Sequence, residues 1–204
     1  MVKKAGIVFL ILVLGAAGLL AVRTFRSQSV AAQDAPAPPS EESARGLEHK
    51  IQAIKAAQNT PEHQPQTVEV TEAELESYVW FELQSKIPAR LQAVDVQLTP
   101  GSVGADVRLT FPPNATGNVA IDTILSGTHT FFVKGKLTAE NRRGRFILDE
   151  TKLDGIPVPT ILIEGLISRY VKPLYPEVDL SEPFDLPWNI KSIAIASGSA
   201  SVSY

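Results

Sequence analysis

The strongest constraint on the fold is a hydrophobic period of two in residues 91–111, LQAVDVQLTPGSVGADVRLTF. Apolar and polar residues alternate on both sides of the turn at residues 99–102, Thr-Pro-Gly-Ser. Because successive side chains of a strand point to opposite faces, each strand has one apolar face and one polar face. The segment therefore predicts an antiparallel hairpin with one face in water.

Two further segments show the same alternation. Residues 131–148 alternate around a turn at 141–144, Asn-Arg-Arg-Gly, and predict a second hairpin. Residues 190–204 alternate around Ser197-Gly198-Ser199. This last segment is either a third hairpin or one strand bent at Gly198.

A helix is predicted between residue 71 and Pro88. Thr71 and Glu74 have the spacing of a capping box, in which each side chain satisfies a free backbone amide at the start of a helix. Its apolar face consists of Leu75, Val79, Leu83 and, beside them, Trp80, and Pro88 ends the helix. Tyr78 and Phe81 lie off this face, so the helix is apolar more than halfway round.

The stretch GIPVPTILIEGLISRYVKPLYPE, residues 155–177, predicts a second and almost wholly apolar helix. Pro157 and Pro159 favour an extended entry, and Thr160 is suited to cap the helix that follows. A helix with apolar residues on nearly every side must be enclosed or must border a cavity. It is either a core helix or one that packs on the sheet and lines a lipid slot.

These elements predict an α+β fold over residues 67–204. A curved antiparallel sheet, built from hairpins, packs against the two apolar helices, because a sheet with one apolar face has to be covered. Ahead of it, Ser40 is a suitable N-cap for a short amphipathic helix over residues 41–59. Its stripe of Leu47, Ile51 and Ile54 indicates either a spacer packed loosely on the body or a helix that binds a partner or dimerises.

The N-terminus is predicted to target or anchor the chain. Residues 5–22 are uncharged and mostly apolar, and as a helix they would extend about 27 Å, close to the thickness of a bilayer core. The length favours an uncleaved signal anchor over residues 1–26, and the alternative is a signal peptide cleaved near Val30-Ala31-Ala32. Lys3 and Lys4 favour a cytoplasmic N-terminus. Residues 27–40 are rich in Ala and Pro and predict a linker.

Composition and motifs argue against several functions. The chain has no cysteine, which excludes disulfides and thiolate chemistry. From residue 27 onward it carries 15 Lys and Arg against 22 Asp and Glu, which argues against nucleic-acid binding. The histidines, His49, His63 and His129, lack metal-ligand spacing and are expected in solvent or in loops. Phosphate-binding and nucleophile motifs are missing from the sequence, so we expect no catalytic residues, metal or cofactor.

Four stretches resemble small, membrane-anchored bacterial envelope domains. They are VEVTEAELESYVWFEL, AVDVQLTPGSVGADVRL, LDGIPVPTILIEGLI and FDLPWNIKSIAIASGSASVSY. Such domains are similar to the tubular lipid-binding (TULIP-like) superfamily, in which a curled antiparallel sheet wraps a helix and encloses acyl chains. The resemblance covers residues 67–204. It implies a single-pass protein of the bacterial inner membrane whose C-terminal domain lies outside the cytoplasm.

The leading hypothesis is therefore a non-catalytic domain that binds a lipid or similar apolar molecule, with its membrane contact through residues 5–22. The residues expected to line the slot are the large apolar ones of the helices and the central strands, namely Tyr78, Trp80, Phe81, Phe131, Val133, Ile161, Leu162, Leu166 and Trp188. The alternative is an envelope scaffold with a filled core and a protein partner bound through residues 41–58. An enzyme would require a carboxylate cluster that only the fold assembles.

Overall fold

The computed structural model describes residues 38–58, 65–86, 89–113, 126–159 and 182–204. Within them, two helices accompany one antiparallel sheet of nine strands, which confirms the α+β class. The helices are α1, Glu41–Ala57, and α2, Glu72–Tyr78. In chain order the strands are β1 Thr67–Thr71, β2 Arg90–Thr99, β3 Ser102–Phe111, β4 Gly127–Glu140, β5 Arg143–Leu153, β6 Ile156–Pro157, β7 Phe184–Asp185, β8 Ser192–Ile195 and β9 Ser199–Ser203.

Strand β4 joins the two halves of the sheet, whose order is β1-β9-β8-β4-β3-β2. Its first part pairs with β3, from Gly127 to Lys136, and Ala139 further along pairs with Ile193 of β8. On the other side of β4 lies β5, which also pairs with the short strands β6 and β7. One long strand therefore supports both the β2–β3 hairpin and the β8–β9–β1 unit.

The three predicted hairpins are confirmed as β2–β3, β4–β5 and β8–β9. Each turn has residues in the left-handed region, which reverses the chain tightly. Gly101 follows Pro100 with φ 72°, and Gly198 has φ 78°. Asn141 and Arg142 form the β4–β5 turn with φ 52° and 65°. The segment after residue 190 is thus a hairpin and not a single bent strand.

Helix α1 belongs to the hydrophobic core. The Ser40 side chain accepts a hydrogen bond from the Ser43 backbone amide and so caps the helix as predicted. The predicted stripe of Leu47, Ile51 and Ile54 is 2–4% exposed and packs against the body of the domain. Burial of that extent contradicts the expected loosely packed spacer, and it leaves the stripe inaccessible to a partner.

Helix α2 confirms the capping box, since Thr71 and Glu74 exchange both hydrogen bonds. It continues as a π-helical turn, Val79–Leu83, and a short 3₁₀ turn, Gln84–Lys86. In the predicted apolar face, Leu75, Val79 and Leu83 are buried, and Trp80 is half-buried.

Three segments for which the sequence makes predictions lie outside the described residues. These are the anchor segment, the linker as far as residue 37, and residues 160–177 of the predicted second apolar helix. The extended entry to that helix is confirmed, because Ile156–Pro157 forms β6 beside β5. The helices that the structure does describe are too short or too polar to cross a membrane.

Candidate functional site

An apolar cavity of about 50 Å³ lies beneath α1. It is bounded by α1 and α2 above and by the β8–β9–β1 unit and the β2–β3 turn below. All but one of its lining residues are aliphatic: Leu47, Lys50, Ile51, Ile54, Val70, Leu75, Leu98, Val103, Leu137, Ile190, Ile193, Ile195, Ala200 and Val202. The volume is several times that of a water-sized sphere but below the roughly 150 Å³ that accommodates benzene in a protein interior. It suits the end of a hydrocarbon chain.

Lys50 is the exception in this lining, and its ammonium group points away from the cavity to α2 and β1. Its Nζ donates to both carboxylate oxygens of Glu74, at 2.6 and 2.7 Å, and to the Glu69 carbonyl oxygen at 2.6 Å. Glu74 also accepts from the Thr71 amide at 3.0 Å in the capping box. This network fixes α1 over the cavity, because the Glu74 carboxylate binds Lys50 of α1 and also caps the start of α2.

Tyr78 adds a second polar contact between the helices. Burial raises the pKa of Tyr78 to about 12, and the nearby charge and hydrogen bond of Glu48 on α1 add to the effect. The phenol therefore stays protonated at ordinary pH and can donate to Glu48. This contact joins α1 to α2 beside the cavity.

Carboxylates of α2 cover part of the outer edge of β2. Glu72 accepts from the Leu98 amide at 2.6 Å, and Glu76 accepts from the Val96 amide at 2.8 Å. The Glu76 residue is only 5% exposed, and burial raises its pKa, with Asp95 and Glu72 contributing in the same direction. These side chains take the place of a neighbouring strand and protect the edge.

A buried ionisable pair lies towards the other end of β4. His129 Nδ1 is 2.9 Å from Asp154 Oδ2, and Asp154 Oδ1 accepts from the Thr130 amide at 2.7 Å. The His129 side chain is only 12% exposed, so the expectation of a solvated or loop histidine is wrong at this position. His129 Nε2 is buried without a hydrogen-bond partner among the described residues. The period of two contains a signal for this burial, because His129 shares the face of Phe131 and Val133.

Six of the residues predicted to line a slot are described by the structure, and none of these six borders the cavity beneath α1. Phe131 and Val133 are buried in the middle of β4, and Trp188 is buried with Lys55 Nζ 5.0 Å from its ring centre. Tyr78 and Trp80 are half-buried, whereas Phe81 is 40% exposed. The remaining three lie outside the described residues, namely Ile161, Leu162 and Leu166.

Sequence reasoning missed the cavity although its two walls were visible as patterns. The helical stripe of Leu47, Ile51 and Ile54 forms the roof, and the alternating Ala200 and Val202 form part of the floor. About 150 positions separate roof from floor, and neither pattern specifies the other as its partner.

In the described part of the chain, no group of three or more His, Asp and Glu residues is arranged to hold a metal ion. The chain matches no protein-family model and no curated protein at a significant level. The resemblance to TULIP-like domains therefore rests on the sequence pattern alone.

Proposed function

We propose that this chain is a non-catalytic, membrane-tethered domain of the bacterial envelope that binds the apolar end of a lipid or similar molecule beneath α1. The observation that carries the proposal is the aliphatic cavity between α1 and the β8–β9–β1 unit. The apolar segment at residues 5–22 supports the tether, and the antiparallel sheet with its helices supports a TULIP-like fold.

Binding would be driven by burial of hydrocarbon. Each methylene group transferred from water gains about 0.8 kcal/mol. Because the lining presents aliphatic carbon, the cavity selects a chain end, and any polar head would remain outside. A longer chain would enter only if α1 moved away from Ile193 and Val202, which border the cavity with it.

A filled-core scaffold is the second candidate, and the small size of the cavity favours it. Phe131 is completely buried, and Val133 and Trp188 are nearly so, as in an ordinary core. A partner would then have to bind the exposed face of α1, which includes Glu41, Glu42 and Gln52, because the apolar stripe is covered.

Photolabelling would distinguish the two candidates. The full chain in non-ionic detergent is irradiated with a palmitic acid that carries a diazirine near its methyl end, and labelled peptides are mapped by mass spectrometry. We expect label in residues 47–54 and 200–202. Ala200→Val adds two methyl groups at the cavity wall and should reduce that label several-fold.

Ala194→Val is the matched control, since it makes the same change at an exposed position of the neighbouring strand β8. It should leave the label unchanged. Label confined to residues 1–26, or equal label in the two variants, would refute binding beneath α1 and leave the filled-core scaffold.

A further inference from the structure

The tip of the β4–β5 hairpin concentrates positive charge on an acidic domain. Arg142, Arg143 and Arg145 lie within four consecutive residues at this turn, and all three are exposed. Lys191 is exposed beside it, and its carbonyl oxygen accepts from the Arg142 amide at 2.9 Å. The sequence from residue 27 onward has an excess of seven acidic residues, so the tip reverses the sign of the domain's charge locally.

The carboxylates nearest to the tip do not neutralise it. Glu140 and Asp185 are the cross-strand partners of Arg143, one on each side. Against these two stand the three arginines and Lys191. None of the three arginines forms an ion pair with a described residue. Lys191 Nζ donates to the Tyr204 main-chain oxygen at 3.2 Å. The guanidinium groups of Arg143 and Arg145 are therefore available to bind phosphate, which guanidinium groups do with paired hydrogen bonds.

The tip is held in a fixed conformation by a second turn. Trp188 and Asn189 are both left-handed, with φ 50° and 62°, and they face the left-handed pair Asn141 and Arg142. Arg142 donates through Nη2 to Asn189 Oδ1 at 2.7 Å, and its carbonyl oxygen accepts from the Leu186 amide at 2.8 Å. Non-glycine residues keep this strained conformation only where their surroundings enforce it. The arginines thus project from a preorganised support.

We propose that this tip docks on anionic lipid headgroups and so sets the orientation of the domain at the membrane. The inference rests on the membrane tether of the proposed function, and it assigns a second contact. Residues 27–39 span at most about 45 Å when fully extended, so a tethered domain stays close to the bilayer. A tether of this length lets the tip approach to within one Debye length of the bilayer, about 8–10 Å, and over that range clustered arginines are attracted to anionic lipid.

The absence of cysteine allows a single fluorophore to report the contact. Thr138→Cys places the label on β4 beside the tip, and Thr128→Cys places it at an exposed position of the same strand, about 33 Å away. The labelled full chain is reconstituted into vesicles of phosphatidylcholine, with or without one quarter phosphatidylglycerol. All vesicles carry a headgroup spin label that quenches fluorescence at short range.

We expect quenching at position 138 to be several-fold stronger in the anionic vesicles, and quenching at position 128 to be equal in both. In 1 M salt the difference should disappear, because the Debye length falls to about 3 Å. The double variant R143Q/R145Q should abolish it, while leaving Arg142 in its structural contacts. R90Q/R108Q removes two exposed arginines elsewhere and should preserve it.

Equal quenching of position 138 in neutral and anionic vesicles would overturn the proposal, as would an equal loss in R90Q/R108Q. A chain that does not float with the vesicles would also overturn the proposal, because the membrane tether on which it rests would then be absent. Photolabelling beneath α1 is measured in detergent, so ligand binding can survive either failure.

Discussion

The Glu76 carboxylate accepts a hydrogen bond from the Val96 amide at 2.8 Å, and this contact joins α2 to the outer edge of β2. Glu76 is 5% exposed, and no described cation lies within ion-pair distance of it. Burial is the main cause that raises its pKa, and the hydrogen bond from Val96 opposes that effect only in part. The residue thus protects the sheet edge while holding its proton more strongly than an exposed glutamate.

Glu76 should make the domain less stable as pH rises. A carboxyl whose pKa is raised in the folded state binds more protons folded than unfolded, so its contribution to the free energy of unfolding is largest below the unfolded pKa. That contribution is lost as pH increases from about 4.5 through the raised value. Glu76→Gln removes the titration, so the variant should gain stability relative to the original chain over this range.

Thermal unfolding followed by circular dichroism, with the full chain in detergent between pH 4 and 8, measures the effect. Glu42→Gln, at an exposed position of α1, controls for the loss of one negative charge. Parallel pH profiles for the original chain and Glu76→Gln would show that the folded protein does not perturb this carboxyl.

The packing of α1 predicts a large cost for shortening its buried stripe. Ile51 is 3% exposed, and Ile51→Ala should lower the free energy of unfolding by about 2–5 kcal/mol through lost burial and a larger cavity. Gln52→Ala changes the exposed neighbour and should alter stability by less than about 0.5 kcal/mol. Denaturant titration of both variants measures the difference, and equal midpoints would mean that α1 is a separate spacer after all.

The elements that the sequence predicts correctly are those with a local cause. Alternation around Gly101 specifies a hairpin, and the spacing of Thr71 and Glu74 specifies a helix start, without knowledge of the rest of the chain. The place of α1 has a distant cause. The stripe containing Ile51 fits a spacer, a dimer or a core helix equally well until Val202 is known to face it.

The candidate site was harder to predict for the same reason. Large apolar residues such as Phe131 and Trp188 are suited equally to a slot and to a core, and the structure places them in the core. Glu76 was predicted only as part of a helix, because its burial depends on Val96, which lies 20 residues later.

Gly135 should tolerate alanine less well than Gly104 on the adjacent strand β3. A Cβ on Gly135 would overlap the ring of Phe146 and lie 2.7 Å from the Ile147 carbonyl oxygen. A Cβ on Gly104 would be 3.7 Å or more from its neighbours, which is an ordinary contact. Gly135→Ala should therefore cost about 1–3 kcal/mol of stability, and Gly104→Ala much less. Thermal unfolding of the two variants tests this, and similar melting temperatures would contradict it.

Asp154 should contribute more to stability than a typical surface carboxylate. Its side chain contacts both His129 and the Thr130 amide, and its own amide donates to the Thr130 carbonyl oxygen at 2.9 Å. Its φ of 49° lies in the left-handed region, which Asp and Asn tolerate better than Ala. Asp154→Asn retains the backbone conformation and one side-chain oxygen, which can still accept from the Thr130 amide. It replaces the oxygen that contacts His129, so it should cost about 1–3 kcal/mol of stability.

Asp154→Ala loses both side-chain contacts and the conformational tolerance, and should therefore destabilise the domain further. Asp149→Ala is the control, because Asp149 pairs with Lys136 only at 3.8 Å on the surface, where ion pairs contribute about 0–1 kcal/mol. Denaturant titration should place the variants in the order Asp149→Ala, Asp154→Asn, Asp154→Ala, from most to least stable. If Asp154→Ala were as stable as Asp149→Ala, the pair with His129 would be a surface contact and the turn after β5 would be held by its backbone alone.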